Sequence, residues 1–199
     1  LPRYLELVQA ARAAGQDAIS TTTIAEALGQ TAIQVRKDLA ITGITGRPRV
    51  GYAVDELIVA IRTFLGWDNA AEAFLVGAGH LGLALLGYNG FAEHGLRIVA
   101  AFDSDRRKIG AKHHGYQIQD VARIGQLAGR MQVRIAVLTV PRAHAQATAD
   151  ALVVAGIRGI WNFADPRLRL PAHVVVETVQ LSASLAMLSS RLQVRMVAE

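Results

Sequence analysis

Six residues constrain this chain more than any others. Gly77–Ala78–Gly79–His80–Leu81–Gly82 spells G-x-G-x-x-G, directly after the apolar run Ala73–Phe74–Leu75–Val76. The pattern predicts a strand that turns sharply into a helix. Gly77 permits the tight turn, Gly79 leaves the backbone open to a close ligand, and Gly82 lets helix and strand pack closely. Further apolar runs at Arg97–Phe102, Ile135–Val140 and Ile157–Asn162 read as buried strands. Helical runs lie between them, notably Leu81–Gly87 and His144–Ala155. Strand–helix alternation of this kind predicts a parallel sheet with helices on both faces, an α/β fold.

A glycine turn opening a helix is suited to a dinucleotide, because the free N–H groups of the first helical turn favour a pyrophosphate. The candidate residues are Gly77, Ala78, Gly79, His80, Leu81 and Gly82, with His80 expected to be exposed. Asp103 ends the next strand, where an acidic side chain binds a ribose 2′-hydroxyl and repels a 2′-phosphate. NAD(H) is therefore preferred over NADP(H), a preference that Arg106 and Arg107 weaken slightly. Thr139–Val140–Pro141 and Asn162 stand at the carboxyl ends of later strands, where open α/β sheets bind ligands. They read equally as the nicotinamide side of a site or as ordinary strand-to-helix turns.

Residues 1–66 have another rhythm. Leu5, Leu7, Val8 and Ala11 form a short apolar stripe that stops near Gly15. Ser20 or Thr21 caps a helix over 23–28, and Gly29 ends it. Thr31 caps a third helix running to about Thr42, with Ala32, Val35 and Leu39 inward. The pair reads as a helix-turn-helix over about 21–43, with Gln34, Arg36 and Lys37 left outward to meet base edges or phosphates. The glycine-rich run 43–54, carrying Arg47, Arg49 and Tyr52, suits the wing of a winged helix. Val54, Leu57, Ile58, Ile61, Phe64 and Leu65 then form one helical stripe. A small helical domain that merely packs on the next one is the competing reading.

Charge supports the first reading. The chain carries a formal +5, and residues 31–52 hold Arg36, Lys37, Arg47 and Arg49 against Asp38 alone. Such a cluster follows a phosphate backbone or forms a solvated face. The 199 residues contain no cysteine, which excludes disulfides, thiolate catalysis and thiol redox sensing. No apolar run approaches the roughly 20 residues of a membrane span and no secretory leader is read, so a cytoplasmic location is expected. The first residue, Leu1, is not Met, and further residues upstream are expected. There is no Tyr-x-x-x-Lys pair, and the six histidines lack catalytic or metal-ligand spacing, so no catalytic residues and no metal are expected. Cofactor binding without a reaction suits a sensor better than a small NAD-dependent oxidoreductase. A CoA-binding module is the other alternative. At the end of the chain Leu181, Leu185, Leu188, Leu192 and Met196 form a stripe that packs on its own domain or crosses to a second subunit.

Taken together, Gln34–Leu39, Arg49–Tyr52, Gly77–Gly82, Ala101–Asp103, Leu138–Pro141 and Asn162–Ala164 resemble the Rex family of redox-sensing transcriptional repressors over nearly the whole chain. The resemblance implies a winged-helix DNA-binding domain at 1–66 and a Rossmann NAD(H)-binding domain at 72–178. A dimerisation helix at 179–199, exchanged between the subunits of a homodimer, completes the expected architecture. It implies operator DNA as partner and release from DNA when NADH binds. Arg36 and Lys37 match the family's recognition-helix contacts, Arg47 and Arg49 its wing, and Tyr88 a tyrosine near the nicotinamide.

The chain also departs from the family. Ala40–Ile41–Thr42–Gly43 stands where Ser-Tyr-Phe-Gly is usual, Asn89 where proline follows the tyrosine, and Asp165 where proline follows Asn-Phe-Ala. The family pairs its tyrosine with an aspartate at the start of the exchanged helix and an arginine in the first helix. Gln180 and Glu6 occupy those places here. A network that biases a two-state equilibrium loses its charges with them. NADH is therefore expected to release this chain from DNA less effectively than it releases typical members.

Overall fold

The computed structural model describes residues 1–67, 71–164 and 167–197, excepting the side chains of Leu181 and of 194–197. Asp165, part of the 66–71 linker and the Met196 side chain lie outside the described residues. The chain divides into two units, 1–70 and 71–199.

In the first unit, helix starts and stops follow local chemistry. Helix α1 (Pro2–Ala13) begins on a proline, which loses nothing at a position whose N–H has no helical partner. A two-residue strand β1 (Ala18–Ile19) precedes α2 (Thr21–Leu28). The Ser20 hydroxyl accepts from the Thr23 N–H at 3.0 Å and starts α2, while Gly29 ends it in a left-handed conformation at φ 63°. Thr31 caps α3 (Ala32–Ala40) by accepting from the Gln34 N–H at 3.2 Å. This helix stops two residues earlier than the sequence suggests. The Thr42 hydroxyl donates to the Leu39 carbonyl at 2.7 Å and draws the chain into a turn.

The wing also differs from the expected hairpin. Arg47 and Gly51 exchange backbone hydrogen bonds around a tight turn, and strand β2 (Tyr52–Ala53) pairs with β1 rather than with a wing strand. Helix α4 (Val54–Phe64) follows. Its Val54, Leu57, Ile58 and Ile61 join Tyr4, Leu5, Val8, Ile24, Val35 and Leu39 in one core. Phe64 does not join them and is half exposed, a correction to the stripe read from sequence.

The second unit is built on β3 (Ala71–Val76), β4 (Leu96–Asp103), β5 (Lys112–His113), β6 (Tyr116–Asp120), β7 (Ile135–Leu138), β8 (Gly159–Asn162) and β9 (Val175–Thr178). Their order is β5-β6-β4-β3-β7-β8-β9, all parallel except the β5–β6 hairpin. Alternation decides the faces. Phe74, Val76, Ala136 and Leu138 point into one core, and Ala73, Leu75 and Val137 into the other. Helices α5 (His80–Leu86), α6 (Gly90–Glu93), α7 (Ile124–Met131) and α8 (Ala145–Val154) connect the strands. Because β4 lies on one side of β3 and β7 on the other, the strand order reverses at the carboxyl end of β3, where such sheets bind ligands.

The final helix, α9 (Leu181–Val197), is different in kind. Leu185, Leu188 and Leu192 are 63%, 65% and 57% exposed. These three leucines do not pack on the chain's own second unit. No helix among the described residues is long and apolar enough to cross a membrane.

Candidate functional site

At the end of β3 the glycines do three separate things. Gly77 sits at φ 107°, and a Cβ there would lie 2.8 Å from the Thr139 carbonyl carbon and the Val140 nitrogen. A Cβ on Gly82 would lie 2.0 Å from the Gly77 carbonyl oxygen. Both positions therefore admit only glycine. Gly79 is the opposite case: a Cβ there meets nothing within 4 Å. The space it leaves adjoins the start of α5, and a pyrophosphate fits there against the backbone.

The neighbours of the loop are fixed too. The Thr139 hydroxyl donates to the Gly77 carbonyl at 2.7 Å. Asp103, buried at the end of β4, accepts from the Ala78 N–H at 2.8 Å, the Asp105 N–H at 2.8 Å and the Lys108 ammonium at 2.9 Å. Burial works against its charge, but the Asp105 N–H, Lys108 and the Ala78 N–H outweigh it and hold the carboxyl below its usual range. Together these elements border a cleft of about 580 Å³, lined by Gly77, Gly79, Leu81, Asp103, Thr139, Val140 and Pro141 among others. The arrangement fits a dinucleotide: an open glycine for the phosphates, and an ionised acceptor for a ribose hydroxyl.

Some expected residues are not part of that lining. Ala78 is buried and its N–H is already given to Asp103. His80 is exposed at the first position of α5. Asn162 is fully buried; its side chain accepts from the Ala164 N–H at 3.0 Å and donates to Thr178 at 3.3 Å. It shapes the end of β8 rather than facing the cleft. Tyr88 is 57% exposed and lies over Gly90, apart from the cleft. Its ring meets Phe91, Phe91 meets Trp161, and Trp161 meets Phe163, with centroids 4.9, 5.3 and 4.8 Å apart. Phe163 lines the cleft, so a run of aromatic contacts joins Tyr88 to it. The sequence reading missed Ser104, Lys108, Arg142 and Val121, all of which line the cleft. Lys108 stands five residues past Asp103, close enough to be suspected. Among the described residues there is no cluster of His, Asp or Glu able to hold a metal ion.

In the first unit, Arg36 on α3 and Arg47 and Arg49 on the turn face a hollow of about 700 Å³, together with Ser20, Thr21 and Thr22. Gln34 and Lys37 are exposed on the same helix as Arg36. Arg47 lies 3.5 Å from Glu56, a pair too exposed to hold strongly. Among the described residues, Arg36, Lys37 and Arg49 have no carboxylate at ion-pair distance. Arg49 occupies a left-handed conformation, φ 64°, at the tip of the turn. Gln34 donates to Asp38 at 2.5 Å, and Asp38 accepts from the Tyr4 hydroxyl at 2.6 Å, which ties α3 to α1. Tyr52 is buried, its ring packed under Gly46. It supports the turn from beneath and borders the same hollow as Arg36, Arg47 and Arg49. Glu6 is exposed on α1, and Gln180 is exposed just before α9.

Residues 68–165 match the family model "CoA binding domain" and residues 1–40 the model "Putative DNA-binding protein N-terminus". The redox-sensing transcriptional repressor Rex of Treponema denticola is 50% identical over 188 residues, 94% of this chain and 90% of that protein. The Rex repressor of Porphyromonas gingivalis is 39% identical over 193 residues, 97% of this chain and 88% of that protein. Among solved structures, RSP in complex with β-NAD⁺ and operator DNA superposes with a TM-score of 0.92 at 35% identity, covering 98% of this chain and 90% of that one. RSP in complex with β-NADH gives 0.89 at 34% identity, covering 98% and 92%.

Proposed function

Since this chain belongs to the Rex family of redox-sensing transcriptional repressors, we propose that it represses transcription by binding operator DNA, with an affinity set by the NADH/NAD⁺ ratio. The observation that carries the reading is the open space over Gly79 beside an ionised Asp103, in a chain that also presents Arg36, Lys37 and Arg49 without carboxylate partners. RSP binds the ligands this reading requires: operator DNA, NAD⁺ and NADH. Gly77, Gly79, Leu81, Gly82, Asp103, Thr139, Val140 and Pro141 hold NAD(H). Arg36 and Lys37 contact DNA from α3, and Arg47 and Arg49 contact it from the turn. Gln34 reads a base edge through the amide oxygen that its bond to Asp38 leaves available.

The repressor works as a homodimer. A two-fold operator needs two copies of α3, and the exposed Leu185, Leu188 and Leu192 supply an apolar face for a second copy. Exchange of α9 between subunits covers that face. The protein acts in the cytoplasm, where NAD(H) and DNA meet. The exposed Glu6 and Gln180 support a weakened release by NADH, because neither supplies the charge that the family's Arg and Asp supply.

A small oxidoreductase is not favoured, since full-length relatives are repressors. The "CoA binding domain" match covers the glycine-rich unit alone. Competition between CoA and NADH separates those two ligands. The central test is an electrophoretic mobility shift on operator DNA across NADH/NAD⁺ ratios. Binding in NAD⁺ with shallow release at high NADH is expected. No DNA binding in any redox state would overturn the repressor reading, and steep release would overturn the weakened coupling.

A further inference from the structure

The sequence assigned discrimination against a 2′-phosphate to the charge of Asp103, softened by Arg106 and Arg107. The structure distributes the charges otherwise. Arg107 is committed to Asp105, with its side chain donating at 3.1 and 2.8 Å. Arg106 is exposed and does not line the cleft. Two cations line the cleft, Arg142 and Lys108, and the one bonded to Asp103 is Lys108, half-buried and 2.9 Å from its carboxylate. Among the described residues Asp103 is the carboxylate at ion-pair distance from Lys108, whose charge also acts on Asp105.

We propose that Lys108 sets how strongly this cleft rejects a 2′-phosphorylated dinucleotide, because it neutralises Asp103 and leaves the choice between NADH and NADPH mainly to hydrogen bonding. The proposal rests on the dinucleotide reading of the cleft. A carboxylate has about four lone-pair positions, and this chain fills three of them on Asp103. About one acceptor position remains, enough for a ribose hydroxyl that donates. A 2′-phosphate has no proton to give it, so that hydrogen bond is lost. An ammonium carries three donors, and Lys108 spends one on Asp103. The others suit either a ribose oxygen or a 2′-phosphate. Discrimination against NADPH is therefore finite, and Lys108 limits it.

The test is equilibrium titration of the full chain with NADH and with NADPH, for the unmodified protein and three variants. The unmodified chain is expected to bind both, NADH more tightly. Lys108→Met leaves Asp103 unneutralised, so NADPH affinity should fall about tenfold more than NADH affinity, the scale of one charged hydrogen bond. Lys108→Arg keeps the charge and should keep the ratio. Asp103→Asn leaves Lys108 unopposed and should shift the ratio toward NADPH. Equal losses for both ligands in Lys108→Met would make Lys108 a structural support only and overturn the proposal, with the cleft reading intact. Absence of NADH binding to the unmodified chain would overturn the cleft reading and the proposal with it.

Discussion

The two candidate sites are built on opposite principles. In the dinucleotide cleft nearly every group is already committed within the chain: Gly77 and Gly82 have no room for a Cβ, Thr139 is bonded to the loop, and Asp103 carries three donors. On the candidate DNA face the cations stand exposed, and Arg36, Lys37 and Arg49 have no ion-pair partner among the described residues. The first site is shaped by packing, so small changes there are all-or-none. The second is a display of charge, so its energy is spread over several long side chains, each worth little alone.

The sharpest way to break this contrast lies inside the glycine loop itself. Gly82→Ala places a Cβ 2.0 Å from the Gly77 carbonyl oxygen, and backbone cannot move aside cheaply. A loss of roughly 3 kcal/mol or more in folding stability is expected, the range of overpacking in a tight core. Gly79→Ala is the paired case. Its φ of −84° suits any residue and its Cβ meets no protein atom. Stability should change by less than about 0.5 kcal/mol, while NADH affinity falls by well over tenfold because the methyl takes the space of the phosphates. Denaturant unfolding and NADH titration on both variants read the two effects separately. If Gly79→Ala bound NADH like the unmodified chain, the phosphates would not sit on this loop.

The DNA face should respond by degrees. Arg36→Ala and Lys37→Ala are each expected to weaken operator binding about tenfold, and to lower the salt dependence by about one phosphate contact. Neither side chain is buried, so thermal unfolding should be unchanged. Unaltered operator affinity in both variants would remove α3 from the interface.

How legible this was depended on whether the determinant was local. The caps at Ser20 and Thr31, the stop at Gly29 and the buried strands β3, β4 and β7 each leave a short-range signal in residue type and spacing. The elements that were missed lack one. Strand β6 buries only Ile118 among polar neighbours, and β9 at the sheet edge exposes Val175. Helix α7 was missed although Ile124 and Ala128 stand at helical spacing, because glycines at 125 and 129 dilute the pattern. The site shows the same division. Gly77, Gly79, Gly82 and Asp103 were readable from spacing. The burial of Tyr52 and the separation of Tyr88 from the cleft are set by tertiary packing. No rule of sequence spacing carries that information.

The smallest expected effect concerns what holds the otherwise exposed α3 in place. The Tyr4 hydroxyl contacts Gln30 and donates to Asp38, which in turn holds Gln34. Burial, then the hydrogen bond and charge of Asp38, push the Tyr4 pKa from 10.0 up to about 12. The folded state thus favours the neutral phenol. Its contribution is complete below pH 10 and is lost as pH rises through about 12. Tyr4→Phe should cost about 1 kcal/mol at neutral pH, the usual worth of a hydrogen bond, and should remove this part of the alkaline loss. Lysines also titrate in that range, so the measurement is the difference between the two proteins in denaturant unfolding at pH 8, 10 and 12. The difference should shrink as pH rises. A difference that stayed constant across that range would mean the phenol does not ionise against Asp38. Operator affinity in Tyr4→Phe should fall by only a few-fold, because Arg36 and Lys37 remain on a helix still packed through Val35 and Leu39. A loss as large as that of Arg36→Ala would show that the DNA face, too, depends on packing, and the contrast between the two sites would fail.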